Sequence, residues 1–388
     1  MIARIIIPIL LAIVLPDIYI DVHCLRRCFR RRWWLRLLWW FPTAAMVAYS
    51  VAIASTRNFV PDEIMFVNVY FMLVGLVVVP KALFAVFSSV GLLCCRLTHR
   101  RRNWGNLLWL PFALGAVYVI MYGFVVGFGK LEVKHVDIYS HDLPKTFDGY
   151  KIVHISDAHV GSFSYDNMAL FERDVDSILA QKADMVVFTG DMQNMKPSEI
   201  YPVAGLLSKI KAKDGVFSVL GNHDYGVYTD AAEKERLAYT LETVEQQKRA
   251  GWQVLRNMHR TVRRGSDSIV VAGTENGGKK PDSEMADVGK ALQGVDKDAF
   301  VIMLQHDPIV WRKKIVPDGR AQLTLSGHTH AGQVSLFGLR PTMLVGNEDY
   351  GLYRQGRQQL YVTSGIGGLL AMRFGASAEI AVITLHKK

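Results

Sequence analysis

Four long apolar runs in the first third of the chain constrain its fold more than any other feature: residues 2–20, 35–54, 64 to about 95, and 106–128. As helices, all four are long enough to cross a hydrocarbon core of about 30 Å, where backbone polar groups must be satisfied within the protein. Residues 1–128 are therefore expected to form a four-helix membrane anchor, and residues 129–388 a separate domain. Pro80-Lys81 interrupts the third run, yet either half falls short of the roughly 17 residues that a span requires, so one kinked helix is expected. Lys81 is expected to snorkel, to pair with Asp17, or to mark a transport path. The first run carries Arg4 and has the look of a signal peptide. No A-x-A-like cleavage site follows it, while Asp17, Asp21 and a basic cluster do, so it is read as a retained span.

Charge follows the same division. The chain has 45 Lys/Arg against 35 Asp/Glu, a net +10, but residues 1–128 hold 13 basic and four acidic side chains and residues 129–388 hold 32 and 31. Nine of the ten excess charges thus lie in the anchor. Arg26, Arg27, Arg30, Arg31 and Arg32 lie between the first and second spans, and Arg96, Arg100, Arg101 and Arg102 between the third and fourth. The middle loop has Arg57 with Asp62 and Glu63. Basic short loops stay cytoplasmic, so the large domain is expected outside the cytoplasm, on a multi-pass cell-membrane protein. Trp33, Trp34, Trp39, Trp40, Trp104 and Trp109 suit an interfacial aromatic belt. Basic clusters placed between apolar spans argue against a nucleic-acid partner. All four cysteines, Cys24, Cys28, Cys94 and Cys95, belong to this third, so the last 260 residues form no disulfide. They lack nearby histidines at zinc-site spacing and read as small apolar residues or acylation sites.

Beyond the anchor the class is α/β. Short β-rich runs at 151–155, 185–188, 216–220, 268–272, 300–304 and 322–325 alternate with helix-compatible stretches at 167–181, 199–211, 230–250 and 283–292. A last strand is expected at 380–385, a loop at 277–282, and a solvated hairpin or phospholipid-binding patch around Arg260, Arg263 and Arg264. Residues 367–371, Met372 and Phe374 are expected to form either a lipid-facing lip or a buried turn.

Polar residues just after five of these strands concentrate metal-ligand chemistry where open α/β sheets place their sites. They are Asp157-Ala158-His159, Gly190-Asp191, Gly221-Asn222-His223-Asp224, His306, and Gly327-His328-Thr329-His330. Glycines before Asp191, Asn222 and His328 let the backbone turn sharply as strands end. Two ions held close together need a carboxylate to bridge them and N and O donors that leave room for water and phosphate; Asp191 is the natural bridge. His135, His141, His154, His259 and His386, with Asp142 and Asp307, fall outside the blocks and are read as structural, turn or solvent-facing residues.

The ordered set D-x-H, G-D, G-N-H-D, H, G-H-x-H resembles the calcineurin-like metallophosphoesterase superfamily over residues 136–385. Gly332-Gln333, Gly351-Leu352-Tyr353 and Thr363-Ser364-Gly365 resemble its membrane-associated YkuE/YaeI-like branch. The resemblance implies a two-sheet αββα sandwich. It places Asp157, His159, Asp191 and His330 around one divalent ion and Asp191, Asn222, His306 and His328 around a second, with Mn, Fe and Zn all compatible. A metal-bound hydroxide would attack phosphorus, with His223 at the leaving-group oxygen and Asp224 able to orient it. The expected substrate is a phosphate ester, a phosphodiester or pyrophosphate in a phospholipid or lipid-linked precursor, met at the bilayer. Alternatives are a UDP-diacylglucosamine-type pyrophosphate hydrolase facing the cytoplasm and a non-catalytic metal-binding membrane sensor.

Overall fold

The computed structural model describes residues 2–56, 64–163, 167–278, 285–345 and 348–388, with side chains from residue 6 onward. Arg57, Asp62, Glu63, the side chain of Arg4, and parts of the expected 277–282 loop and 283–292 helix lie outside the described residues. The chain divides into two compact units, Met1–Val126 and Gly127–Lys388.

The first unit has four helices long and apolar enough to cross a membrane, Ile6–Cys28, Trp33–Ala54, Ile64–Thr98 and Gly105–Gly127. Its apolar side chains point outward as well as inward. Leu11, Leu37, Phe41, Val51, Leu107, Phe112 and Leu114 are exposed, while Ile13, Met46, Ile53, Tyr70 and Val78 pack inside. The first helix runs past residue 20 through a π-helical turn, Asp21–Leu25, and carries Arg26 and Arg27 with it. Asp21 explains the extension, because it accepts hydrogen bonds from Arg26 (3.2 Å) and from both Nε and Nη2 of Arg36 (2.8 Å each). The third helix is continuous, with a π-helical turn at Val74–Val78 just before Pro80. The wide turn accommodates the proline, whose ring and missing N–H disrupt regular α-helical bonding. Lys81 Nζ donates to Asp17 Oδ2 at 2.9 Å. All four cysteines are free.

The second unit is a sandwich of two six-stranded sheets. One has the order β1 (Leu131–Ser140), β12 (Ala378–Lys387), β2 (Tyr150–Ile155), β3 (Met185–Phe188), β4 (Val216–Ser218), β5 (Gln253–Val254). The other has β10 (Gly351–Gln355), β11 (Gln358–Val362), β9 (Leu323–Ser326), β8 (Phe300–Leu304), β7 (Asp267–Gly273), β6 (Met258–Arg264). Strands β2, β3 and β4 run parallel, as do β7, β8 and β9. Their side chains alternate between faces. Ile152, Met185, Val187 and Phe217 meet Ile269, Val271, Ile302 and Leu325 between the sheets. Val153, Ile155, Val186 and Phe188 turn outward onto the helix Met168–Ala180 and its neighbours, while Val301 and Met303 turn outward onto Val288, Trp311 and Ile315. Strands buried on both faces read as continuous apolar runs, and for that reason the sequence located them.

Several expected elements differ. Residues 199–211 do not form one helix: a 3₁₀ segment, Pro197–Val203, leads into one turn, Ala204–Leu207. Pro202 removes a helical N–H, and the Glu199 carboxylate binds the backbone N–H groups of Asn194, Met195 and Lys196 instead. Of the helix expected at 283–292, the described part is the four-residue Val288–Ala291, capped by Asp287. The 230–250 helix spans Glu233–Arg249. Strand β1 went unread because Lys134, His135 and Asp137 break its apolar pattern, as an edge strand permits. The hairpin expected around Arg260, Arg263 and Arg264 is present as β6–β7, with Arg260 and Arg263 exposed and Arg264 partly buried. Arg264 pairs with Asp184 and sits 4.5 Å over the Tyr150 ring.

Candidate metal centre

All the sequence-selected polar blocks converge at the carboxyl ends of parallel strands. Asp157 and His159 follow β2, Asp191 follows β3, Asn222 and His223 follow β4, His306 follows β8, and His328 and His330 follow β9. Three overlapping clusters result: Asp157, His159 and His330; His159, Asp191 and His223; and Asp191, His306 and His328, each with ligand atoms within 4.8 Å of one another. Asp191 Oδ2 lies 3.1 Å from His306 Nε2 and 3.7 Å from His159 Nε2. Asn222 Oδ1 is 3.1 Å from His306 Nε2, His328 Nδ1 is 3.2 Å from the same atom, and His330 Nε2 is 3.4 Å from Asp157 Oδ1.

This convergence requires unusual backbone. Asp157, His159, Asp191, His328 and His330 all have φ between 45° and 72°, the left-handed region. Each non-glycine residue there costs of order 1–3 kcal/mol and persists only when its surroundings over-determine it. Here Asp157 N–H donates to Gly190 O (2.8 Å), His159 N–H to Asp191 O (3.1 Å), and Gly327 N–H to His306 O (3.1 Å). Of the three glycines expected to turn the chain, Gly190 does so with φ +99°. Gly327 serves by absence of bulk, since a Cβ there would stand 2.1 Å from Asp157 Oδ2.

Residues 150–332 match the family model described as calcineurin-like phosphoesterase, and residues 3–128 match one described as probable calcineurin-like phosphoesterase, transmembrane domain. The uncharacterized metallophosphoesterase YkuE of Bacillus subtilis (strain 168) is 32% identical over 265 residues, covering 66% of this chain and 85% of that protein. The chain belongs to the calcineurin-like metallophosphoesterase family. A transmembrane protein with metallophosphoesterase domain from Danio rerio is also 32% identical, over 288 residues, covering 72% of this chain and 62% of the relative. An uncharacterized metallophosphoesterase of Helicobacter pylori (strain J99) is 30% identical over 302 residues, covering 75% and 74%. With its four apolar helices, this metallophosphoesterase is a membrane protein.

The groups that orient its histidines were mostly invisible in the sequence. His306 Nδ1 donates to Thr189 O (2.7 Å) and His223 Nδ1 to Asn194 O (2.6 Å), because a carbonyl can only accept. His159 Nδ1 is 2.9 Å from Asn194 Oδ1. Asn194 therefore positions two histidines, one through its side chain and one through its main chain. The sequence signal for it was weak, an amide three residues past Asp191. Tyr228 accepts from Asn222 Nδ2 (2.8 Å) and packs against the His223 ring. Asp224 does not orient His223 as expected. Its carboxylate accepts from the backbone N–H groups of Asp191, Met192 and Gly221, all at 2.9 Å, and so pins the Asp191 loop.

A second unread residue is Arg373. Fully buried, its guanidinium donates to the carbonyls of Ser364, Gly365, Gly367, Ala376 and Ser377. The loop it gathers binds back onto the ligand strand end, with Ile366 N–H on Ser156 O (3.0 Å) and Gly367 N–H on Asp157 O (2.8 Å). Of the two expectations for residues 367–371, Met372 and Phe374, a lipid-facing lip or a buried turn, the turn fits better: Met372 is buried and Leu369, Leu370, Ala371 and Phe374 are half-buried.

Burial dominates the electrostatics. It drives the His159 imidazole down to about 3, helped by His223, and holds His330 well below its usual value, helped by Arg373. Both rings are thereby neutral, the form in which imidazole ligates a metal. Burial acts the same way on His306, but the charge and hydrogen bond of Asp191, joined by Asp157 and the Thr189 carbonyl, together push the ring up to about 10. Burial and then Asp191 raise Asp224 to about 7. Among the described residues the buried His159 Nε2 has no hydrogen-bond partner, and it lies 3.7 Å from Asp191 Oδ2. A buried lone pair facing a carboxylate is stable only with a cation between them, so this donor set of imidazole, carboxylate and amide oxygen fits divalent metal ions.

Proposed function

We propose that this membrane metallophosphoesterase is a two-metal enzyme that hydrolyses a phosphodiester or pyrophosphate bond in a lipid-linked substrate outside the cytoplasm. The placement of Asp191 Oδ2, 3.1 Å from His306 Nε2 and 3.7 Å from His159 Nε2, carries the reading, since one carboxylate can then serve two neighbouring ions. Asp157, His159 and His330 would complete one site with Asp191, and Asn222, His306 and His328 the other. Bound divalent ions would supply charge neutralisation at the phosphoryl oxygens and lower the pKa of water.

The chain's own groups supply the rest. Asn222 contributes a neutral oxygen, which leaves the centre electropositive enough to attract a phosphate. With Nδ1 committed to Asn194 O, His223 has Nε2 as its remaining polar atom; when protonated there, it can donate to the departing oxygen. Asp224 keeps the Asp191 loop in place through three backbone bonds. The four spans support a substrate met at the bilayer, and the two arginine clusters support the extracytoplasmic placement.

The decisive experiment compares wild type with Asp191→Ala on extracted envelope lipids and nucleotide-linked lipids, read by mass spectrometry. A lipid phosphate ester consumed by wild type alone supports the proposal. No turnover on these substrates or on an aryl phosphodiester, across Mn²⁺, Fe²⁺ and Zn²⁺, would favour a metal-binding sensor. A reporter active only outside the cytoplasm, fused at Lys388, checks the orientation.

A further inference from the structure

A short segment beyond the His330 loop is turned inside out. Leu336 and Leu339 exchange backbone hydrogen bonds (2.9 and 3.0 Å), closing a tight turn around Phe337 and Gly338, both with positive φ (52° and 82°). Such a turn favours Asn-Gly, and a bulky aromatic residue in its first central position is an outlier. Phe337 nonetheless occupies the tip and is 97% exposed. The next turn, Pro341–Leu344, repeats the pattern: Leu344 is 91% exposed, and Leu339, Met343 and Val345 are exposed beside it. Polar side chains of the same segment point inward. Arg340 Nε reaches Asp349 Oδ2 at 2.6 Å and Thr342 Oγ1 reaches the same oxygen at 2.9 Å.

With Leu336, also exposed, six apolar side chains stand out above a polar base, the reverse of a water-facing loop, and exposed apolar patches of this kind mark docking surfaces. Near-complete exposure of Phe337 and Leu344 makes them protruding tips, the shape that enters a soft apolar phase. The chain itself supplies that phase. The fourth span ends at Gly127 and strand β1 starts at Leu131, so a link of only a few residues tethers the domain to the bilayer.

We propose that the Leu336–Leu339 hairpin tip and the Pro341–Leu344 turn insert into the interfacial region of the membrane that the four spans cross. The idea adds a docking surface to the proposed function and rests only on the membrane placement of the spans. Its catalytic consequence follows from connectivity. Gln333, three residues before Leu336, is fastened to the carbonyls of Leu370 (2.9 Å) and Met372 (3.0 Å), and His330 lies in the same segment. Insertion would hold the metal centre at the lipid surface.

The test uses the full chain, with Cys24, Cys28, Cys94 and Cys95 changed to serine, in vesicles of phosphatidylcholine and phosphatidylglycerol. An environment-sensitive nitrobenzoxadiazole label is placed at Phe337→Cys, at Leu344→Cys outside the tight turn, and at Arg357→Cys, whose side chain is 87% exposed in the β10–β11 turn. Doxyl-labelled phosphatidylcholine is expected to quench the first two labels several-fold more than the third. A blue-shifted emission without lipid quenching would overturn the proposal in favour of coverage by a second copy or another protein. Water-like emission at 337 and 344, or equal quenching at all three positions, would also overturn it. None of these readouts depends on turnover, so the outcome is separable from that of the proposed activity.

Discussion

Lys81 Nζ lies 2.9 Å from Asp17 Oδ2, tying the third membrane helix to the first inside the bundle. Asp17 also accepts from Trp39 Nε1 (2.6 Å) and from the Thr43 hydroxyl, so its carboxylate is engaged by three donors from the second and third helices. Among the outcomes open to Lys81 in the sequence, pairing is the one observed, and it closes an apolar bundle around a neutral polar centre.

Removing one partner of this pair should cost more than removing both. Lys81→Met leaves an uncompensated carboxylate in an apolar bundle and is expected to lose roughly 3–5 kcal/mol, whereas Asp17→Asn with Lys81→Met should recover most of that loss. Unfolding of the full chain in mixed micelles measures both. Equal losses for the single and double variants would show that the pair contributes no specific coupling.

Asn194 is the most economical place to loosen the metal centre without touching a proposed ligand. Asn194→Ala removes the partner of His159 Nδ1 but keeps the main-chain carbonyl under His223. Metal affinity should fall about 10–100-fold, as for other groups that orient a ligating histidine. Chelator competition with metal analysis checks this, and unchanged affinity would mean that packing alone orients the ring.

Arg373 should matter as much for the site as for the fold. Arg373→Met strands several buried carbonyls at once and is expected to destabilise the domain by roughly 3–5 kcal/mol. Arg373→Lys, with three donors in place of five, should fall between that variant and wild type. Denaturant midpoints order the three proteins, and metal retention should follow the same order, because the gathered loop holds the Asp157 carbonyl.

Acid sensitivity should trace in part to a histidine outside the metal centre. Burial depresses His154 from its usual 6.5 to about 3, with Thr189 Oγ1 as the partner of Nε2 (2.9 Å). A depressed folded-state value favours the neutral ring, so this contribution is present above about pH 6.5 and is lost as pH falls toward 3. From pH 7 to pH 5 the loss from this group alone is about 2 kcal/mol. Denaturation at both pH values should show a shallower dependence in His154→Gln than in wild type. Identical slopes would remove His154 from the account.

What was legible in the sequence depended on range. The D-x-H, G-D, G-N-H-D, H and G-H-x-H blocks were found because each side chain sits within a few residues of a buried strand end, and buried strands announce themselves as apolar runs. The 199–211 stretch misled because its composition suits a helix, while Pro202 and the Glu199 carboxylate favour tighter turns. Adjacency left Asp224 able to orient His223, yet its partners are backbone groups on the Asp191 loop and Gly221. Asn194 and Arg373 were missed because their effects are exerted across distance: Asn194 meets His223 from 29 residues away and His159 from 35.

By itself the sequence determined four membrane-length helices, the concentration of nine of the ten excess charges in that first third, mostly in two arginine-rich loops, and the order of polar blocks along an α/β domain. These are one-dimensional properties, set by run length, local composition and adjacency to strand ends. Only the tertiary structure decided that five site residues adopt left-handed backbone, that Lys81 pairs with Asp17, that Arg373 gathers a loop against the Asp157 segment, and that Phe337 and Leu344 face outward above an Arg340–Asp349 base. Those outcomes rest on which buried polar groups find partners once distant strands are packed, and residue order alone does not specify that accounting.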